Sequence, residues 1–358
     1  MVLITVVIFV GLLLTLVLVH EWGHFITAKK AGCKVEEFGF GFPPRLFSFM
    51  YHDTLYSVNL FPIGGFVKIE GENMDDADPS PTSFAGKSPW WRLAILVAGV
   101  VMNIVLAVAL LSWQSVIGSP TVVTQENAGS LTDIYTYVID VAPNSPAESA
   151  GLQAFDRIDV IGNTSRPELT QVQEAISEHL GSTVTFEVER QGQHFTFEVP
   201  ARENPPEGEG ATGISLAETG LERSPWYLAP VAGVTKTWQM LVAIVLQLQQ
   251  VVATLVSTGD AGTSLTGPIG IAVYTQEVTR MGLSYFLEFA AMISINLALI
   301  NILPLPALDG GRILFVFVEL LAGKRVPGKY ESIAHTVGFV ALLGLMLLVT
   351  LRDVHRYF

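Results

Sequence analysis

The sequence has little charge and almost no cysteine. Only 15% of its 358 residues are Asp, Glu, Lys or Arg, against about 25% in an ordinary soluble domain, so the whole chain is not a water-soluble globular protein. A single cysteine, Cys33, excludes an intrachain disulfide. Basic residues are also scarce, and a net charge of −13 argues against nucleic acid as a partner. What remains is apolar and unevenly charged. Residues 20–92 hold 7 Lys/Arg and 9 Asp/Glu, residues 116–284 hold 7 and 19, and residues 285–358 hold 6 and 5. The acidity sits in the middle block, which therefore reads as a water-soluble domain between membrane-seeking ends.

Residues 2–19 carry no charge, and at ~1.5 Å per residue such a run crosses most of a ~30 Å hydrocarbon core. A signal peptide is the alternative, but no basic segment precedes the run and Leu18-Val19-His20 follows it in place of a small-residue cleavage site. A retained span is expected. Residues 93–113 predict a second span, with Asn103 its one markedly polar interior residue; 285–303 predict a third and 333–351 a fourth. Residues 237–256 are apolar but interrupted by Gln239, Gln247, Gln249 and Gln250, which fits either a span or a helix lying on the surface. Lys29, Lys30, Lys34 and Arg92 in one loop, and Arg312, Lys324, Arg325 and Lys329 in another, place those loops in the cytoplasm. The N-terminus and the acidic block then lie outside, although Arg352 and Arg356 run against this assignment.

At the cytoplasmic end of the first span stands His20-Glu21-Trp22-Gly23-His24, an HExxH pattern. Residues i and i+4 share a helix face, so both imidazoles can hold one zinc ion while Glu21 reaches a water on it. The bland alternative is a pair of interfacial histidines. A catalytic zinc needs a third ligand, and the outstanding candidate is Asp309 in Leu308-Asp309-Gly310-Gly311, just after Pro304 and Pro306. Those prolines and glycines break the third span and expose backbone, which membranes tolerate where it is buried or lines a wet cavity. An aspartate that merely caps the next helix is the competing reading. For Asp309 to meet His20 and His24 it must also sit at a cytoplasmic end, which requires that 237–256 does not cross. That segment is thus expected at the interface, giving four spans.

These motifs, in this order, resemble the bacterial site-2 protease family, in particular its regulator-of-sigma-E (RseP-type) branch. The resemblance includes the stretch from Asn296 to Gly311 and Gly267-Pro268-Ile269-Gly270, and it extends over essentially the whole chain. It implies a polytopic α-helical membrane protein with four transmembrane helices, an inserted mixed α/β PDZ domain and a membrane-associated β-hairpin region. It further implies His20, His24 and Asp309 as Zn2+ ligands, Glu21 as catalytic base, and Asn296 and Asn301 as substrate contacts, for which interhelical hydrogen bonding is the competing role. The implied substrate is a single-span membrane protein already trimmed by another protease, such as an anti-sigma factor, or a remnant signal peptide. The better-known enterobacterial member has two tandem PDZ domains, whereas the soluble stretch here has room for one.

The expected organisation is a first span with HExxH (1–34), a cytoplasmic-side β-rich loop (35–90), a second span (91–116), an extracytoplasmic PDZ domain (117–217), an interfacial region (218–283), a third span with the Leu-Asp-Gly motif and a following helix (284–323), and a fourth span (324–358). Within the PDZ-like stretch, 136–163 read as strand, short helix and strand, 169–179 as a helix, 183–199 as a hairpin over Gln191-Gly192, and 213–216 as a groove-edge strand. Such a groove adds a peptide as a strand, or the domain acts as a steric filter against bulky ectodomains. Stretches 54–60 and 65–69 are strand-like, and a hairpin there would offer an open edge to an extended substrate. Asp75, Asp76 and Asp78 read as a solvated turn, and 203–210 as an exposed loop. Two other functions fit parts of the pattern: a membrane-anchored zinc protease acting on misfolded cytoplasmic chains, and a PDZ scaffold with inert histidines.

Overall fold

The computed structural model describes residues 2–72, 80–190, 192–206, 208–258, 267–324 and 326–357. The acidic turn Asp75, Asp76 and Asp78, together with Gln191, Glu207, residues 264–266 and Arg325, lies outside the described residues. The chain divides into two compact units: Met1–Ser112, Pro230–Val278 and Leu287–Phe358 form one, and Trp113–Ala229 with Thr279–Phe286 forms the other.

In chain order the elements are α1 (Val2–Lys30), β1 (Val35–Tyr51), β2 (Thr54–Ile69), α2 (Pro89–Ile117), β3 (Ser119–Val122), β4 (Leu131–Val141) and α3 (Pro146–Ala150). There follow β5 (Arg157–Ile161), β6 (Thr164–Ser165), α4 (Leu169–Glu178), β7 (Thr183–Arg190), β8 (Gln193–Pro200) and β9 (Ile214–Glu222). Last come α5 (Ala229–Thr258), α6 (Pro268–Met281), α7 (Leu283–Ile302), α8 (Asp309–Ala322) and α9 (Gly328–Tyr357).

Among the described residues five helices, α1, α2, α5, α7 and α9, are long and apolar enough to cross a membrane, one more than the four expected. The addition is α5, a continuous helix of 30 residues that starts at Ala229 and runs unbroken through its glutamines. Glutamine is a good helix former, so it lowers hydropathy without interrupting the backbone. Helix α1 passes straight through the HExxH motif and ends where Gly32, at φ +71°, lets the N–H of Cys33 bond back to the carbonyl of Ala28.

Small residues set the contact between α1 and α2. A Cβ on Gly23 would run into the backbone of Ala98, so the two helices pack at the short distance that glycine permits. Below them, Ala28, Cys33, Val35, Ile69, Phe84, Leu93, Ile95, Leu96 and Val316 form one buried cluster that ties both helices to the β strands and α8. Arg92, fully buried, pairs at 2.7 Å with Glu319 on α8. The N-terminus of α6 is held by Asp353 of α9, whose carboxylate accepts from the N–H groups of Gly267 (3.3 Å) and Gly270 (2.8 Å).

Strands β1 and β2 pair antiparallel and fold over themselves. The start of β1 pairs both with 55–58 and with 65–69, while its second half, 45–51, pairs with 54–59 across a two-residue turn at His52 and Asp53. Both turn residues have positive φ (45° and 58°), the twist that suits a tight hairpin. Residues 65–69 pair with the start of β1 alone, which leaves their other edge open among the described residues.

The second unit is a seven-stranded sheet in the order β3-β9-β4-β5-β7-β8, with β6 beside β5. Its core gathers Val138, Leu152, Ile158, Ile161, Val172, Val184, Phe186, Val188 and Val199, the inward positions of the alternating strands. Ser145 caps α3 with Pro146 behind it, and Gly151 closes that helix at φ +97°. Buried Asp156 is gripped by Arg190 through two bonds of 2.6 Å. The order strand, short helix, strand, helix, hairpin and edge strand follows the sequence reading. Because β3 pairs only with 219–222 and the Val123 N–H donates to the Glu218 carbonyl, residues 214–217 of β9 leave one edge open among the described residues. A cavity of about 410 Å³ in this unit includes Tyr135, Tyr137 and Arg157, and another of about 290 Å³ lies between α4 and β9, lined by Ile176, Leu180, Ile214 and Leu216.

Candidate metal centre

One helix supplies two donors. On α1, His20 and His24 are one turn apart on the same face, and both are buried. Their Nε2 atoms lie 3.1 Å from each other, and the Oδ2 of Asp309 lies 3.0 Å from the first and 3.3 Å from the second. These separations match the edge of a tetrahedron around a zinc ion, about 3.3 Å for Zn–N and Zn–O bonds of ~2.0–2.1 Å. Nε2 of His24 is free to ligate because its Nδ1–H donates to the carbonyl of Ile95 at 2.8 Å, which fixes the tautomer. Donor chemistry, burial and spacing therefore fit a zinc-sized divalent cation.

Asp309 reaches this point because α7 stops short. After Ile302 the chain turns through Pro304 and Pro306, and Ala307 takes φ +80°, a left-handed conformation that costs an alanine roughly 1 kcal/mol. Its N–H donates to Nδ1 of His335 on α9 at 2.9 Å, which holds the turn in place. Gly310 and Gly311 then pass so close to the carbonyls of Ile302, Leu303 and Leu305 that a Cβ at either would overlap backbone. Helix α8 starts at Asp309 with no side-chain cap. The carboxylate is turned to the histidines, so the alternative of a capping aspartate does not describe it.

Glu21 lies one step round α1 and lines a cavity of about 480 Å³ together with His24, Asp309, Glu72, Arg312 and His335. The open-edged segment of β2 borders the same cavity through Phe66, Val67 and Ile69, and Gly65 lies against the Glu21 side chain. Arg312, one turn after Asp309, is ion-paired with Glu72 at the end of that segment. Asn301 joins the cluster, with Nδ2 3.4 Å from Nε2 of His20. Asn296 does not: it is half-buried, about 140° round α7 from Asn301.

Two participants escaped the sequence reading. Gly99 on α2 leaves room for both imidazoles, since a Cβ there would strike His20 and His24. Asn103, one turn further, lies 3.3 Å from Nδ1 of His20. The visible signal for Asn103 was a lone amide in an apolar span. For Gly99 there was none, because a small residue in a span fits any close helix contact. A second group of His, Asp and Glu, formed by Asp159, Glu189 and His194, is exposed at His194, and Arg157 pairs with both of its carboxylates.

The family model described as Peptidase family M50 matches residues 8–345. Over 99% of both chains the sequence is 31% identical to a protein of Oceanobacillus iheyensis named zinc metalloprotease RasP. It is 34% identical to a putative zinc metalloprotease of Clostridium perfringens over 95% of both chains, and 28% identical over 99% of both to the Bacillus subtilis protein named regulator of sigma-W protease RasP. With the HExxH helix, the Leu-Asp-Gly turn and their meeting point all in place, the chain belongs to peptidase family M50, the site-2 proteases.

Proposed function

We propose that this protein is an intramembrane zinc endopeptidase that hydrolyses peptide bonds in the transmembrane segments of single-span membrane proteins. The observation that carries the reading is the convergence of His20 and His24, within a helix long and apolar enough to cross a membrane, with Asp309 at the start of α8. Zinc bound there supplies a Lewis acid that acidifies water toward neutral pH and polarises the scissile carbonyl. Glu21 takes the proton from the attacking water and returns it to the leaving amine. Asn301, beside His20, is placed to donate to the carbonyl oxygen as charge develops on it. Asn296, on another side of α7, contacts the substrate away from the scissile bond.

A transmembrane substrate arrives as a helix whose carbonyls are already hydrogen-bonded, so it must be drawn out into a strand before attack. The free edge of 65–69, bordering the cavity beside Glu21, offers the hydrogen bonds that stabilise such a strand. The second unit serves as the single PDZ domain: its open edge at 214–217 and the apolar groove beside α4 suit strand addition by a peptide, and its bulk suits the exclusion of large ectodomains.

In this reading the chain crosses the bacterial cell membrane four times, with the PDZ domain outside and the site near the cytoplasmic face, the side that the Lys and Arg of the loops favour. His20 and His24 of α1 meet Asp309, which follows the turn after α7, and this supports α1 and α7 running to the same side. The end of α2 meets the start of α7, where Gln114 donates to the Ser284 carbonyl (3.2 Å) and Ser284 donates to that of Gly118 (2.5 Å). These contacts support a chain that leaves and returns on one side, with α5 at the interface in this reading. The substrate class is an anti-sigma-factor-like protein, by analogy with the relative named for sigma-W regulation, or a remnant signal peptide.

The test is the full chain reconstituted in vesicles with a single-span peptide. Cleavage within the membrane segment, lost on metal chelation and restored by zinc, is expected. Cleavage indifferent to chelation, or confined to unfolded soluble proteins, contradicts the proposal.

A further inference from the structure

Three positions on α2, spaced by four residues, face the histidines of α1. Ile95 supplies the carbonyl that fixes His24, Gly99 supplies the space, and Asn103 meets His20. The i, i+4, i+8 spacing puts all three on one stripe of α2, and the antiparallel match sets 95 against 24 and 103 against 20. Asn103 is fully buried, and the hydroxyl of Ser294 on α7 donates to its backbone carbonyl at 2.8 Å.

The contact at 3.3 Å runs from the amide nitrogen to Nδ1 of His20, while the amide oxygen is buried without a partner. An N–H donor at Nδ1 requires that nitrogen to be the acceptor, which moves the ring proton to Nε2, the atom beside Asp309 and His24. A protonated Nε2 cannot ligate. The two ends of an amide are told apart by their hydrogen bonds alone, and turning this one by 180° gives the orphaned oxygen a donor and frees Nε2. We infer that Asn103 is a positioning residue for His20: its side-chain oxygen accepts from Nδ1–H and so holds the ring in the tautomer and orientation that present Nε2 to the metal. This rests on the zinc site proposed above and extends it to α2.

The experiment measures the zinc affinity of the full detergent-purified chain by competition with a chromophoric chelator, and the visible absorption of the cobalt-loaded form. Asn103→Leu keeps the shape and removes the acceptor, so zinc affinity should fall about 10–100-fold and the cobalt bands should shift. Asn103→Asp keeps an oxygen toward His20 and should bind within a few-fold of the unsubstituted chain. Leucine binding as tightly with unchanged cobalt bands overturns the inference, and so does aspartate falling as far as leucine, which would make the role one of packing or of the N–H2 group. His20→Ala separates the two levels. Zinc that is bound and lost in His20→Ala, yet unaffected in Asn103→Leu, removes the role of Asn103 alone, whereas zinc that does not depend on His20 removes the site itself.

Discussion

Glu21→Gln should retain zinc and lose cleavage by about 10²–10⁴-fold, the range for removing a positioned general base. Glu21 stands beside the three donors without being one of them, in the wall of the cavity and against Gly65. Glutamine keeps its shape and its packing but has no basic lone pair to receive a proton at neutral pH. Turnover of a single-span peptide, measured with the zinc content of the same preparation, decides the matter. A variant that still turns over rapidly would move the base elsewhere, and the other carboxylate in the cavity outside the cluster is Glu72, already engaged by Arg312.

The second large effect is expected from a single methyl group. Gly99→Ala places a Cβ where both imidazoles lie, closer than real side chains approach one another. Neither ring can yield: His24 is tied to the Ile95 carbonyl, and His20 to Asp309 and Asn103. Relief must come from parting α1 and α2 or from turning a ligand away, and either spoils a donor set that tolerates errors of a few tenths of an ångström. Gly99→Ala should therefore lose zinc by at least about 100-fold and cleave at background. Gly11→Ala, where a Cβ meets nothing within 4 Å on the same α1 helix, is the control and should match the parent in both. Normal zinc content in Gly99→Ala would mean that the histidines do not sit as described.

The chemistry of the site was legible where it is local. HExxH is a spacing on one helix, so His20, Glu21 and His24 can be read without a partner, and the Pro/Gly punctuation around Asp309 marks a break that a membrane helix does not make idly. The strands at 54–60 and 65–69 and the succession of elements in the acidic block follow from alternation and turn residues. What could not be read depends on neighbours distant in sequence. Gly99 matters only because α1 lies across it, and Asn103 only because His20 presents Nδ1 to it. The turn at Ala307 is invisible because alanine gives no sign of a left-handed backbone, and His335, which holds it, is 28 residues away. Asn296 and Asn301 look equivalent in sequence, yet five residues of helix separate their faces. Helix α5 reads in sequence as either a span or a surface helix over 237–256 because hydropathy counts its glutamines against it, while helix propensity does not, and the helix runs from Ala229 to Thr258.

The central claim is that His20, His24 and Asp309 together hold one zinc ion. Elemental analysis of the detergent-purified full chain beside Asp309→Ala tests it most directly. The account predicts about one zinc per chain in the parent and loss of it in Asp309→Ala, since two histidines alone do not make a catalytic zinc site. Zinc retained in Asp309→Ala, with cleavage intact, would contradict it and would place the third ligand outside the Leu-Asp-Gly turn.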